Sequence, residues 1–318
     1  MKRSISILIL LAGVFVLASA GCNEYKVETM VREDGTGTRK MTFTMDPDQD
    51  EIAGRSPEMY ARMFGVEDDG EWLIQTTADN AELDMSSGRR VFSFESAIGG
   101  VDDWGRLDGS ITVKGTLKES DYSGVFFDNS VSLETGRTPA GRSYTYRESF
   151  SWNGLVETVV DYQADAYARK MKEDFPHLDE AAVAELRGLM AGHLYVAVRL
   201  LDIWNDNDEE LAKVAMSAGK AAERVVRKAG RKVDIEHVYE VARIYVADED
   251  STLEPFLEQN LPGVMYAGLT DVKINLTMPG KVVETNGKVL DDGSVTWKMH
   301  LMDALGSRIE FYARSESQ

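Results

Sequence analysis

Few side chains in this sequence have the type and spacing that chemistry requires. Cys22 is the only thiol in 318 residues. It directly follows Ser19-Ala20-Gly21, which makes it a lone nucleophile at the end of a run of small residues. Ser217 and Lys220 have the Ser-x-x-Lys spacing, in which a lysine amine draws the proton from a serine nucleophile. The same serine sits in a relaxed elbow pattern, Ala215-x-Ser217-x-Gly219. Both patterns need the serine at a turn entering a helix, whereas here it falls about two turns inside a helical pattern. No Ser-Asp-Asn or Lys-Thr-Gly follows, so an ordinary helix serine is the stronger reading. Of the four histidines, His177, His193, His237 and His300, no pair has metal-ligand spacing. Asp202, Asp206 and Asp208, or Asp248 and Asp250, offer oxygens to calcium, but neither set has the glycine and closing glutamate of an EF-hand loop. They read as solvated acidic loops. No catalytic residue, metal or cofactor is expected, and the chain is not read as an enzyme.

One charge feature stands out. Lys220, Arg224, Arg227, Lys228, Arg231 and Lys232 gather at helical spacing, with Glu223 the only acid among them. Cations at the end of a helix complement its negative pole, worth about 0.3 to 1 kcal/mol each. The functional alternative is a contact to anionic headgroups or to an acidic partner.

The elements that position these groups begin with a secretory signal. Lys2 and Arg3 precede an apolar and small-residue run from Ile7 to Ala18, too short to span a bilayer. Its end, with Cys22, resembles a bacterial lipobox. That resemblance implies cleavage before Cys22 and acylation, palmitate included, of its thiol and new amine. Ser19 stands where the motif usually has leucine. The alternative is an ordinary signal cut after Ala18 or Ala20, leaving a free thiol. Asn23 and Glu24 lack the aspartate associated with inner-membrane retention, which favours the outer membrane or cell surface. Losing residues 1–21 removes two cations and no acid, so the formal charge moves from -19 to -21. Such an excess argues against nucleic acid, whose phosphates bind through Lys and Arg. Without a second cysteine no intramolecular disulfide forms, and stability must come from packing.

After the signal, period-two alternation dominates residues 22–153. Tyr25, Val27, Thr29 and Val31 alternate with Lys26, Glu28, Met30 and Arg32, Asp34-Gly35 turns the chain, and Met41, Phe43 and Met45 alternate back. A short helix is expected at 57–64. Strand-like runs follow at 72–77, 90–96, 109–117, 125–133 and 143–152. From Gly154 to Pro262 the period becomes helical, giving about five helices. The second, from Asp179 to Trp204, reads as the buried central helix of a bundle. Asn207 with Glu210 forms a capping box for the third, and Ser251 with Glu254 opens the fifth. Residues 263–318 return to period two as a meander turning at Pro279-Gly280, Asn286-Gly287 and Asp292-Gly293. A lone meander is unstable without a covering partner, so the terminal strands should join. The expected fold is α+β: an antiparallel sheet built from N- and C-terminal segments with an inserted helical bundle. An apolar cavity in that sheet would be lined by Phe43, Phe92, Trp297 and Phe311.

The segment from Met278 to Trp297, with its Pro-Gly, Asn-Gly and Asp-Gly turns, is similar to a stretch in small bacterial lipoproteins of the LppM type. These also pair an early lipidated cysteine with a strand, Asp-Gly-x-Gly, strand opening like Asp34-Gly35-Thr36-Gly37. The resemblance covers the first mature residues and the C-terminal strands, with the helical middle outside it. It implies an extracytoplasmic sheet domain without established catalysis, contacting envelope lipids. The function expected is therefore a membrane-anchored, non-catalytic binding module for an envelope lipid or protein. The alternatives are an envelope-associated hydrolase or a structural component of a membrane assembly.

Overall fold

The computed structural model describes residues 24–45, 72–74, 82–84, 89–117, 120–139, 141–200, 208–229, 234–247, 271–305 and 307–318. Cys22, Asn207, Arg231, Lys232, the helix expected at 57–64 and the fifth helix from Ser251 lie outside them. The fold is α+β, and the chain divides into a sheet unit, Ala18–Asn153 with Leu261–Gln318, and a helical unit, Gly154–Asn260.

The sheet unit carries β1 (Glu24–Val31), β2 (Gly37–Met45), β3 (Trp72–Ile74), β4 (Glu82–Asp84), β5 (Arg89–Ile98), β6 (Gly109–Leu117), β7 (Ser120–Thr138) and β8 (Gly141–Ser151). After the helical unit come β9 (Asp271–Thr277), β10 (Lys281–Thr285), β11 (Lys288–Val289), β12 (Val295–His300) and β13 (Ile309–Ser317). The first sheet runs β11-β12-β9-β1-β2-β5-β3, with β4 also on β5, and the second runs β10-β13-β8-β7-β6. N- and C-terminal segments join in both. In the first, β1 pairs parallel with β9, Val27 opposite Ile274. In the second, β13 pairs antiparallel with β8. A parallel pair needs a long crossover, and the intervening helical unit supplies it.

Alternation sets the inner faces. Tyr25, Val27, Thr29 and Val31 are buried on β1, and Val272, Ile274 and Leu276 on β9. Rings fill the core: Phe43 lies 4.7 Å from Tyr25 and 5.5 Å from Phe94, Trp152 lies 4.7 Å from Phe127, and Trp297 lies 5.4 Å from Phe311. The β1–β2 turn is made as its sequence suggests. Gly35 takes φ 85°, and Asp34 accepts from Thr36 N at 3.0 Å and its hydroxyl at 2.7 Å. Trp104, in a 3-10 turn at Val101–Leu107, closes it from beneath by donating to the Gly35 carbonyl at 3.0 Å. Asp292-Gly293-Ser294 repeats the device, with φ 84° at Gly293 and Asp292 accepting from Ser294 N and Oγ.

The C-terminal strands are not one meander: β9, β11 and β12 lie in the first sheet, β10 and β13 in the second. The chain crosses between sheets at Gly280 and again at Asn286-Gly287. Gly280 takes φ 71°, and a Cβ there would stand 2.1 Å from the Glu316 carbonyl oxygen. Gly287 has no positive φ, so Asn-Gly forms no hairpin turn here. Asn286 is used otherwise. Its Oδ1 accepts from Trp297 Nε1 and from Tyr312 N, each at 2.9 Å, and its Nδ2 donates to the Glu310 carbonyl at 2.7 Å. One amide thereby ties β12 of the first sheet to β13 of the second.

In the helical unit the described helices are α1 (Asn153–Asp174), α2 (Glu180–Arg199), α3 (Asp208–Lys228) and α4 (Ile235–Ala247). Asp179 caps α2 by accepting from Ala182 N. α2 is not the buried helix that its apolar sequence suggests: only Leu186, Met190, Leu194 and Ala197 are buried. It is long and apolar enough by composition to cross a membrane, and its exposed side includes small residues such as Ala184, Gly188 and Gly192 beside Tyr195 and Val196. α1 is the more enclosed helix, with Val160, Ala164, Tyr167, Ala168 and Met171 among its buried residues. Gly219 on α3 permits close approach to α4, since a Cβ would stand 2.7 Å from the Tyr239 ring. At the end of α1, Asp174 accepts from Lys170 at 2.7 Å and pairs with His237 of α4 at 2.8 Å.

Candidate functional site

Lys220, Arg224, Arg227 and Lys228 stand exposed along α3, where intervals of three and four residues place them on one flank. They are not equivalent. Arg227 pairs with Glu223 at 2.7 Å, and Lys228 reaches Glu185 of α2 at 3.5 Å. Arg227, with Tyr239, holds the Glu223 carboxyl below its ordinary range. Lys220 and Arg224 make no ion pair with a described residue, so their charge remains available to an external anion. Met216, 54% exposed, continues the same flank one turn earlier.

Phe43, Phe92, Trp297 and Phe311 are all buried in the sheet unit. Phe43 and Phe92 are register partners on β2 and β5. Their neighbours are other rings, as above, and the four are core residues.

The same core holds a charge pair between the sheets. Arg39 of β2 and Glu148 of β8 have side chains with no solvent exposure, and Arg39 Nη2 donates to Glu148 Oε1 at 2.5 Å. Glu148 also accepts from Arg39 Nη1 at 3.3 Å, the Tyr146 hydroxyl at 2.7 Å and Asn129 Nδ2 at 3.0 Å. Burial would lower the Arg39 pKa, but Glu148 and Tyr146 outweigh it and raise it. Burial, then Glu148, pushes the Tyr146 phenol well above its ordinary value. The pair is a fixed, water-excluded clamp between sheets rather than an accessible group.

On the outer face of the second sheet, Ser130, Ser132, Arg147, Ser149, Arg308 and Tyr312 line a cleft of about 200 Å³. Arg308 is fixed by Asp128 at 2.7 Å and the Ser149 hydroxyl at 3.1 Å. The Arg147 guanidinium lies 4.8 Å over the Tyr312 ring and makes no ion pair with a described residue. Phe311 alone of the four rings above borders this cleft. Glu148 and Glu310 border it as well, so a hollow lined by hydroxyls, two cations and two acids suits a small polar group rather than an acyl chain. No local pattern announces it, because most of its residues come from separated strands whose outward positions meet only through register. Among the described residues no three His, Cys, Asp or Glu side chains come together as a metal-binding set.

No curated protein and no solved structure matches the chain. A family model does: the LppM domain, over residues 206–316. The match takes in α3 and α4 as well as β9 to β13, so the resemblance extends into the helical unit rather than stopping at the C-terminal strands. Over that stretch the chain is similar to the LppM domain family.

Proposed function

We propose that this chain is an extracytoplasmic lipoprotein, tied to a membrane by acyl chains on Cys22, whose folded part binds an envelope lipid or protein. The observation that carries the reading is the LppM domain match over residues 206–316, downstream of a signal-like run that ends in the only cysteine. Each buried methylene of an acyl chain contributes about 0.8 kcal/mol, so two or three chains anchor the protein stably where one would not. The sequence after Cys22 favours the outer membrane or cell surface. The binding surface is the α3 flank, where Lys220 and Arg224 carry unneutralised charge beside exposed Met216.

Flotation of the mature, unlipidated chain (Cys22→Ala) with vesicles containing anionic lipid tests that surface. A cation near such a leaflet is worth about 1 kcal/mol, so neutralising two weakens binding by about 30-fold, and charge reversal by more. Lys220→Glu with Arg224→Glu should therefore abolish flotation, while Arg227→Gln should weaken it little. Equal flotation of the double variant and the parent would remove the α3 flank from the reading.

A further inference from the structure

Ser217 meets a histidine that its sequence neighbours do not announce. Its hydroxyl lies 3.1 Å from Nε2 of His193, across the contact between α2 and α3. The other ring nitrogen of His193, Nδ1, is 2.7 Å from the Leu189 carbonyl oxygen. A carbonyl only accepts, so Nδ1 must carry the proton. In the neutral ring Nε2 is then the bare nitrogen, and the Ser217 hydroxyl donates to it. Nucleophile, base and a group that orients the base are thus in place, the last being a main-chain carbonyl one helical turn back. The surroundings fit a substrate: Ser217 is exposed, Met216 beside it is 54% exposed, and Val196, one turn along α2 from His193, is 49% exposed.

We propose that Ser217 and His193 form a nucleophile and general-base pair that cleaves carboxylic esters with an aliphatic acyl chain. Ser217 Oγ attacks the ester carbonyl carbon while its proton passes to His193 Nε2. The tetrahedral adduct collapses by breaking the bond to the alcohol oxygen, and that alcohol leaves with the proton from Nε2. Water, deprotonated by the same nitrogen, then attacks the acyl-serine; the bond between the acyl carbon and Ser217 Oγ breaks, Oγ takes the proton back from Nε2, and the carboxylic acid is released. The amides of a helix interior are engaged in its own ladder, so the positive group for the developing oxyanion is the exposed Lys220 ammonium, one turn along α3. This inference does not depend on where the chain is anchored, and it departs from the expectation that the chain does no chemistry.

The test uses an alkyl fluorophosphonate on the mature folded chain, with peptide mass spectrometry to place the adduct and p-nitrophenyl butyrate to follow turnover. The adduct should fall on Ser217 and vanish in Ser217→Ala. His193→Gln still offers an oxygen to the Ser217 hydroxyl but takes no proton. It should slow labelling about 100-fold or more while thermal unfolding stays that of the parent. Absence of an adduct on Ser217 in the folded parent, or an unchanged labelling rate in His193→Gln, would reduce the contact to an interhelical hydrogen bond and overturn the proposal.

Discussion

Replacing Glu148 by alanine is the sharpest perturbation of the sheet unit. The carboxylate accepts from Arg39, Tyr146 and Asn129. Its loss leaves a guanidinium at 0% exposure with only Thr29 Oγ1 at 3.4 Å and the Tyr146 hydroxyl at 3.2 Å. Arg39 Nε already has no partner among the described residues, so nothing local absorbs the loss. Breaking a buried pair on one side costs about 3–5 kcal/mol. At about 2–4 °C per kcal/mol for a domain of this size, Tm should fall by about 6–20 °C. Trp104, Trp152 and Trp297 are buried in this unit, which makes tryptophan fluorescence the readout. Both partners are sealed from solvent, so the drop should be the same at low and at high salt. The double variant Arg39→Met with Glu148→Leu removes both charges together and should recover most of the loss, short of the unpaired Tyr146 and Asn129. A fall of less than about 2 °C in Glu148→Ala, or a double variant as unstable as the single, would refute the reasoning.

Other outcomes follow from named contacts. Gly35→Ala and Gly293→Ala both force an L-residue to a φ near +85°, costing about 1–2 kcal/mol. Only at Gly35 would the new Cβ also stand 2.6 Å from Val101 Cγ2, which adds about 1–3 kcal/mol; urea denaturation should rank Gly35→Ala as the less stable, and the reverse order would contradict the turn geometry. Asp174 feels burial, which raises its pKa, but hydrogen bonds from Lys170 and His237 prevail and lower it. Its native-state pKa lies below the unfolded one, so its stabilising contribution is complete above the ordinary carboxylate range and disappears as pH falls through the lowered value. Acid titration followed by helical circular dichroism should show Asp174→Asn flattening that dependence, and an unchanged acid limb would count against the contact.

Legibility in the sequence followed the local physics. Alternation on β1, β9 and β12, and the turns at Asp34-Gly35 and Asp292-Gly293, are set by residues within a few positions of one another. Asn286-Gly287 misled because the Asn286 side chain is committed to Trp297 and Tyr312, a long-range use that overrides its turn preference. The apolar composition of α2 suggested burial, but much of it is alanine and glycine, which face outward at little cost. Arg39 and Glu148 were detectable in principle. Each holds an inward slot of an alternating strand, Gly37-Arg39-Met41-Phe43 and Tyr144-Tyr146-Glu148-Phe150, and two such slots of opposite sign ask to be paired. The proximity of His193 and Ser217 had no local signature, since it arises from the pairing of two helices.

The proposal of a membrane-anchored module rests above all on Cys22. Intact-mass and peptide analysis of the mature protein from its native membrane addresses it directly. The account predicts an N-terminal peptide that begins at Cys22 and carries a thioether-linked diacylglycerol, lost in Cys22→Ala. An unmodified N-terminus beginning at Ser19 or Gly21, on a protein recovered from the medium, would contradict it.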